Sequence, residues 1–242
     1  MSTVIAVLSG KGGTGKSTAA AALSCALSEL GRSVVCVDAD TELRNADLCL
    51  GLGDRALLDY GDVLEGRCSL EDALLPLPDF PRLRLLAAPP QRRPGSLEEL
   101  IPQLEGQLDY CVVDCPGGLG DTVAEAACLA QRAIVVATAD PCSHRDGERT
   151  AQLLRSALCP EGLLLINRVR PRQLKAMGIT LDDSIDLIGL RLLGYVPEDE
   201  RVPLALGAGR PLLAEDRRPR RGAAAAFRRI TRRLDGQSVP LP

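Results

Sequence analysis

The stretch Gly10-Lys11-Gly12-Gly13-Thr14-Gly15-Lys16-Ser17-Thr18 holds the residue types and spacing best suited to chemistry in this chain of 242 residues. Its glycines let successive backbone N–H groups turn toward one centre, at dihedral angles that a side chain opposes. Such a cradle suits phosphate oxygens, and a helix opening near Lys16 adds the positive end of its dipole. Lys16 then places a positive charge on the β- and γ-phosphates, and the Ser17 hydroxyl meets a magnesium ion. Residue choice supports this. Only three of the 29 basic residues are lysine, and Lys11 and Lys16 lie in the loop, with Lys175 elsewhere. A compact ammonium, not a guanidinium fork, is selected there. The pattern predicts ATP and Mg2+ as ligands of Gly10 through Thr18: Gly10, Lys11, Gly12, Gly13, Thr14, Gly15, Lys16, Ser17 and Thr18.

A phosphate loop needs a carboxylate on a neighbouring strand end to hold the metal's shell. Asp114 ends the run YCVVD and precedes Cys-Pro-Gly-Gly, a turn sequence. Asp38 and Asp40 close a second run, VVCVDAD. Residues two apart in an extended chain point the same way. Both carboxylates are therefore expected to face the γ-phosphate, one orienting the attacking water and the other supporting the metal. The expected metal set is Ser17, Asp38 and Asp114.

These groups need a scaffold that delivers strand ends to one edge. Short, nearly all-apolar runs at Val4–Leu8, Val34–Val37, Leu83–Ala87, Tyr110–Val113, Ala133–Thr138, Leu163–Ile166 and Leu190–Val196 read as strands buried on both faces. Helical stretches at Ser17–Leu30, Leu97–Glu105, Thr122–Leu129, Arg145–Leu158 and Ala223–Leu234 alternate with them. The expected fold is α/β, one P-loop domain over residues 1–242, with a mostly parallel central sheet and helices on both faces. Ala87–Ser96 reads as a loop. Aromatics are 2% and Trp is absent, so the core must come from Leu, Val, Ile and Ala.

Nine cysteines show neither Cys-x-x-Cys nor zinc spacing, which reads as reduced thiols. The N-terminus runs straight into TVIAVLS, and no apolar run approaches the ~20 residues of a membrane span. A soluble, cytoplasmic protein is expected. The net charge of −3 is uneven. Eight arginines between Arg217 and Arg233 occur without an acid, and the remaining 21 basic residues face 32 acidic ones, a balance of −11. His144, the only histidine, falls just before the helix expected from Arg145 and reads as a solvated loop residue.

Lys11 ahead of the usual loop lysine resembles the deviant Walker A motif of the MinD/ParA group of ATPases. TELRNADLCLG (Thr41–Gly51) is similar to the switch segment of MinD septum-site proteins, and TADPCSHRDGERT (Thr138–Thr150) to their partner-binding helix region. INRVRP (Ile166–Pro171) and LLGYVPEDERV (Leu192–Val202) resemble their late segments, so the likeness runs from Val4 to about Leu213. The resemblance implies a switch ATPase that forms a homodimer around ATP and is released by hydrolysis. Lys11 would reach the partner subunit's phosphates, so Lys11, Lys16 and Asp40 form the catalytic set. Asp38 and Asn45 would belong to the first switch, Asn167 would read the adenine edge, and Pro197 to Asp199 would lie nearby. Partners of the MinC/MinE or equivalent type would sit on the helix from about Arg145.

The resemblance implies a role in division-site placement. The alternatives are a FlhG-like flagellar-number regulator, a ParA-like DNA segregation ATPase, or, from another class, a metal-cluster carrier like the nitrogenase iron protein. MinD proteins carry an amphipathic tail after the final helix, whereas here GQSVPLP follows. The final helix, in the Arg-rich region 217–234, is itself two-faced: Ala223, Ala226, Phe227, Ile230 and Leu234 oppose Arg228, Arg229, Arg232 and Arg233. It is expected to close the fold, with its arginines in solvent. Weak contact with an anionic membrane surface at the inner face of the cell membrane is the second expectation for it, and DNA a less favoured one.

Overall fold

The alternation of apolar strands and helices builds, in a computed structural model of the chain, one eight-stranded sheet covered on both faces. The structure describes residues 2–90, 96–106, 108–215 and 221–240. In chain order the elements are β1 (Thr3–Leu8), α1 (Lys16–Glu29), β2 (Val34–Asp38), α2 (Ala46–Cys49), α3 (Tyr60–Leu64), α4 (Leu70–Ala73), β3 (Leu75–Leu77) and β4 (Phe80–Leu86). There follow α5 (Leu97–Leu104), β5 (Tyr110–Asp114), α6 (Asp121–Leu129), β6 (Arg132–Thr138), α7 (Pro141–Ser156), β7 (Glu161–Val169), α8 (Pro171–Met177) and α9 (Leu181–Ile188). The chain finishes with β8 (Arg191–Pro197), α10 (Arg201–Gly207), α11 (Leu212–Glu215) and α12 (Gly222–Leu234).

The strand order is β3-β4-β2-β5-β1-β6-β7-β8, and each neighbouring pair is parallel except β3 with β4. The α/β class and the parallel sheet expected from the sequence are thus present. From β1 the chain crosses to β2, while β5 and β6 later fill in on either side of β1. The order reverses beside β1, and ligands of open α/β sheets bind in the crevice at such a point. Strand alternation assigns the two cores. Ile5 and Val7 pack under α1 and α12, and Val4, Ala6 and Leu8 pack under α5 and α6. The run Ala19–Ala22 keeps α1 slim where it lies between the sheet and α12.

Three sequence expectations change. The edge strand β3 lies outside the strands expected. It is three residues long and contains Pro76, whose missing N–H is tolerated only at a sheet edge. The helix expected from Arg145 begins at Pro141. Asp140 caps it by accepting from Ser143 N at 3.0 Å, and proline is pre-shaped for the first helical position. His144 is therefore not a solvated loop residue: it is buried in α7, with Nε2 2.9 Å from Ser184 Oγ on α9.

The third change concerns α12. It closes the fold as expected, with Phe227, Ile230 and Leu234 buried. Its arginines do not form a free basic face. Arg228 grips both oxygens of Glu29 on α1, and Arg233 donates to the backbone oxygens of Leu193 and Val239. Arg232 is exposed, Arg229 is half-buried, and Arg217, Arg218 and Arg220 lie outside the described residues. No helix among the described residues is long and apolar enough to cross a membrane.

Burial pushes the His144 pKa below its ordinary 6.5, against the opposing pull of Asp140 and Asp183. Below about pH 6.5 the unfolded chain gains a proton that the native ring refuses, so stability falls with pH through this window. The loss of urea midpoint between pH 7.5 and pH 5.5 should be smaller in His144→Gln than in the parent protein. An equal loss in both would show that His144 does not couple folding to protons.

Candidate functional site

The crevice beside β1 gathers the expected residues onto one edge. Lys16 opens α1 directly from the loop, with Gly15 at φ 87° in the left-handed region. A Cβ on Gly15 would meet Asn167 Nδ2 at 2.3 Å, so only glycine fits. Gly13, at φ 83°, makes a similar turn. Gly10 lies against α7: a Cβ there would come within 2.4 Å of the Asp146 carbonyl oxygen. The open cleft above the loop measures about 720 Å³ and is lined by Lys11, Lys16, Ser17, Asp40, Asn45 and Gly117, among others.

Lys16 reaches inward. Its Nζ donates to Asp114 Oδ1 at 2.7 Å and stands 3.4 Å from Ser17 Oγ. The side chains of Lys16 and Asp114 are 7% and 0% exposed. Burial raises the Asp114 pKa, and the Lys16 charge opposes that rise. Asp114 Oδ2 is fully buried with no hydrogen-bond partner among the described residues, as is Thr14 Oγ1 in the loop. An unpaired buried oxygen in a native site needs an explanation. A hard divalent cation with oxygen ligands fits this one: Ser17 and Asp114 supply hydroxyl and carboxylate at the phosphate loop.

The expected pair of aspartates divides. Asp40 lines the cleft, and its Oδ1 accepts from Leu43 N at 3.0 Å and Glu42 N at 3.3 Å. Asp38 sits beneath, 2% exposed, and does not line the cleft. Its two oxygens accept from Asp40 N at 2.9 Å and Ala46 N at 3.1 Å. Both carboxylates were expected to face the phosphate; Asp40 lines the cleft and Asp38 does not. The strand ends at Asp38, so its two-residue alternation does not carry on to Asp40. Burial first, and Asp114 second, push the Asp38 pKa up to about 7.

Lys11 leaves the loop on the other side. Its Nζ stands 3.5 Å from Asp140 Oδ1, the cap of α7, with both side chains more than a third exposed. Sequence reasoning missed Asp140, though Asp before Pro141 is a readable helix-start signal. Asn167 occupies the far flank on β7. Its Nδ2 donates to the Thr14 carbonyl at 2.8 Å, clamping the phosphate loop to the sheet. A second cavity of about 230 Å³ continues from Gly15 past Asn167 to Val196, Pro197, Val202 and Phe227. The acids of that turn are already engaged. Glu198 is held by Arg168 at 2.8 and 3.1 Å and by Arg170 at 3.2 Å. Asp199 accepts from Arg201 and from Ala223 N, each at 2.8 Å. Asn167 and Pro197 both line this second cavity.

The two cysteines that a metal-cluster carrier would use are not brought to a ligand set. Cys115 is fully buried with its thiol pushed well up by burial, and Cys142 is exposed on α7. No cluster of three or more metal-ligating side chains occurs among the described residues.

A phosphate loop at the sheet's switch point, backed by a buried lysine–aspartate pair, defines a nucleotide-binding protein of the P-loop class. The comparisons agree. Residues 5–212 match the model of the CobQ/CobB/MinD/ParA nucleotide binding domain. The septum site-determining protein MinD of Synechocystis is 38% identical over 99% of this chain and 92% of its own length. That of Bacillus subtilis is 35% identical over 100% and 92%. Among solved structures, the MinC:MinD cell division protein complex of Aquifex aeolicus aligns with a TM-score of 0.89 and 32% identity, covering 100% of this chain and 98% of that one. MinD of Pyrococcus horikoshii, solved with Mg-ADP, gives 0.85 and 31%, covering 97% and 96%. A ParA family ATPase from Chlorobium tepidum shares the fold at 21% identity, with a TM-score of 0.79 over 96% and 98%. The chain belongs to the CobQ/CobB/MinD/ParA nucleotide-binding family, within its MinD branch.

Lys16→Ala should lower ATP affinity by about a hundredfold or more, since one phosphate counter-charge is worth several kcal/mol in such sites. It also leaves Asp114 buried without its partner, a loss of about 3–5 kcal/mol in stability. Adding Asp114→Asn should restore the melting temperature but not ATP binding. Wild-type affinity by calorimetry in Lys16→Ala would remove the assignment of the cleft.

Proposed function

We propose that this protein is an ATP-dependent switch in division-site placement, cycling between an ATP-bound dimer and an ADP-bound monomer. The reading is carried by full-length similarity to MinD proteins, together with a cleft lined by the phosphate loop and Lys11 and backed by the buried Lys16–Asp114 pair. Lys16 holds the β- and γ-phosphates, Ser17 and Asp114 Oδ2 hold the magnesium ion, and Asp38 supports them by fixing the loop from below. The metal neutralises charge on the phosphate oxygens when bound. Asp40, the carboxylate that lines the cleft, orients the attacking water. Asn167 and Pro197 contact the base.

Dimerisation is supported by the rim of the cleft. Leu43 and Leu48 line it at 68% and 50% exposure, and Leu119 is exposed just beyond Gly117 and Gly118. Apolar side chains gathered around a polar cleft favour cover by another protein surface. A second copy facing the first brings Lys11 across to the partner's phosphates, away from Asp140. Partner proteins of the MinC/MinE or equivalent type dock on the exposed side of α7, which carries Arg145, Arg149 and Gln152. The Aquifex relative was solved as a MinC:MinD complex. The protein acts in the cytoplasm, in keeping with its free cysteines. Two of the α12 arginines, Arg228 and Arg233, are tied to the body.

Lys11→Ala should bind ATP as a monomer, because its charge acts only when two subunits meet. Light scattering that shows the same ATP-induced dimer in variant and parent would exclude the cross-subunit role. Asp40→Ala should keep ATP affinity but lose about a hundredfold in turnover, the scale of lost general-base or water-positioning help. The ATP-bound dimer should then accumulate. Turnover within twofold of the parent protein would mean that another group positions the water.

A further inference from the structure

The far end of the sheet, opposite the nucleotide cleft, holds a second concave site. A cavity of about 190 Å³ opens where β6, β7 and β8 begin, lined by Arg132, Glu161 and Arg191 from the strands and Arg233 from α12, over Leu163 and Leu193. Arg132 Nε stands 2.9 Å from Glu161 Oε2, and Arg191 donates to Oε1 of the same carboxylate. Arg132 also donates to the Leu234 carbonyl at the end of α12. Arg233 donates to the carbonyls of Leu193 at 2.6 Å, Val239 at 2.8 Å and Pro240 at 2.5 Å.

The hydrogen bonds are provided for, but the charge is not. Three guanidiniums share one carboxylate among the described lining residues. Arg233 is half-buried and its hydrogen-bond partners among the described residues are neutral carbonyls, with Arg229 close enough to push its pKa down further after burial has done so. Capping the last carbonyls of α12 accounts for one or two N–H groups. It does not account for three positive groups brought together at the edge of a low-dielectric wall, where their mutual repulsion is strongest. A Cβ on Gly194 of β8 would meet Ile230 Cγ1 at 2.7 Å and Arg233 Nη1 at 2.9 Å, so glycine lets α12 and its Arg233 lie close against the strand.

We propose that this cavity binds a phosphoryl oxyanion, either free phosphate or the phosphate of an anionic lipid head group. A tetrahedral anion offsets the surplus charge, and guanidinium forks match its oxygens in pairs. The volume suits a phosphate with a few waters and falls short of the usual range for nucleotide-sized ligands. The site is independent of the ATP cleft at the other end of the strands, so its occupancy adds a second input to the same chain.

The test uses the full chain carrying Lys16→Ala with Asp114→Asn, which weakens the phosphate loop's own hold on phosphate while sparing the fold, titrated with inorganic phosphate by calorimetry at low ionic strength. Saturable binding is expected, with affinity falling about tenfold when Arg233→Gln is added. Because Arg233 also ties α12 to the sheet, Arg191→Gln is the second variant. Arg191 is 71% exposed and bonds only Glu161 among the described residues, so the melting temperature should hold while phosphate affinity drops several-fold. In the otherwise native chain, Arg191→Gln should leave ATP turnover unchanged. Co-sedimentation with phosphatidylglycerol vesicles but not phosphatidylcholine vesicles, lost in Arg191→Gln and competed by phosphate, would identify the lipid as the source. Phosphate binding without vesicle binding would identify a free phosphoryl ligand. No saturable phosphate binding, or the same affinity in both arginine variants, would overturn the proposal.

Discussion

Burying Asp114 at the bottom of the phosphate loop is the constraint around which the rest is arranged. A carboxylate with no exposed surface pays several kcal/mol in lost hydration, and in this structure one lysine offsets it. That lysine must come from the first turn of α1, so the loop can adopt only paths that set Lys16 against the end of β5. The parallel sheet supplies the remaining geometry. Because β1, β5 and β2 are paired in register, Asp38 lies level with Asp114, and Ala39 N donates to the Asp114 carbonyl at 2.8 Å. Three carboxylates and one lysine then share an edge, and one Asp114 oxygen is left buried without a hydrogen-bond partner among the described residues.

The aspartates at the end of β2 show how that edge is made responsive. Asp38 faces no ligand. It anchors two backbone N–H groups, those of Asp40 and Ala46, and so fixes where the segment between them begins and ends. Asp40 then folds the segment back through Leu43 N. The loop is held by carboxylate-to-amide bonds at its base, and its apolar tip, Leu43, is left in solvent. A segment with fixed ends and an unpacked tip can reorganise when a charged ligand arrives, without disturbing the core.

The strands, the phosphate loop and Asp114 were legible because each is a local pattern: a short apolar run, a glycine-rich turn, a carboxylate at a strand end. What the sequence concealed depended on where the chain goes next. Asp38 and Asp40 obey the alternation of a strand only while the strand lasts, and β2 ends at Asp38. His144 looked solvated because Asp140 and Pro141 were not weighed as a helix start; one turn more of helix carries it inward to Ser184. Asn167 also donates its Nδ2 to the Thr14 carbonyl, a contact across 153 residues that no local pattern encodes. The edge strand β3 has too few residues to show any period.

The contacts of the α12 arginines likewise depend on distant parts of the chain, and they bear on where motion can occur. Arg228 holds Glu29 with both forks, and Arg32, just beyond α1, holds Asp235 just beyond α12. Exposed ion pairs of this kind add little stability singly. Their effect here is geometric, since both brace the far end of the helix whose near end carries Lys16 and Ser17. Phe227 and Ile230 fill the space between them and the sheet. With α1 fixed at one end by the Lys16–Asp114 pair and at the other by α12, it cannot serve as the moving part of a switch. Response to nucleotide must therefore fall on the segments that α12 does not brace: the loop from Asp40 to Asn45, the turn through Gly117 and Gly118, and Lys11, whose bond to Asp140 is long and open to water.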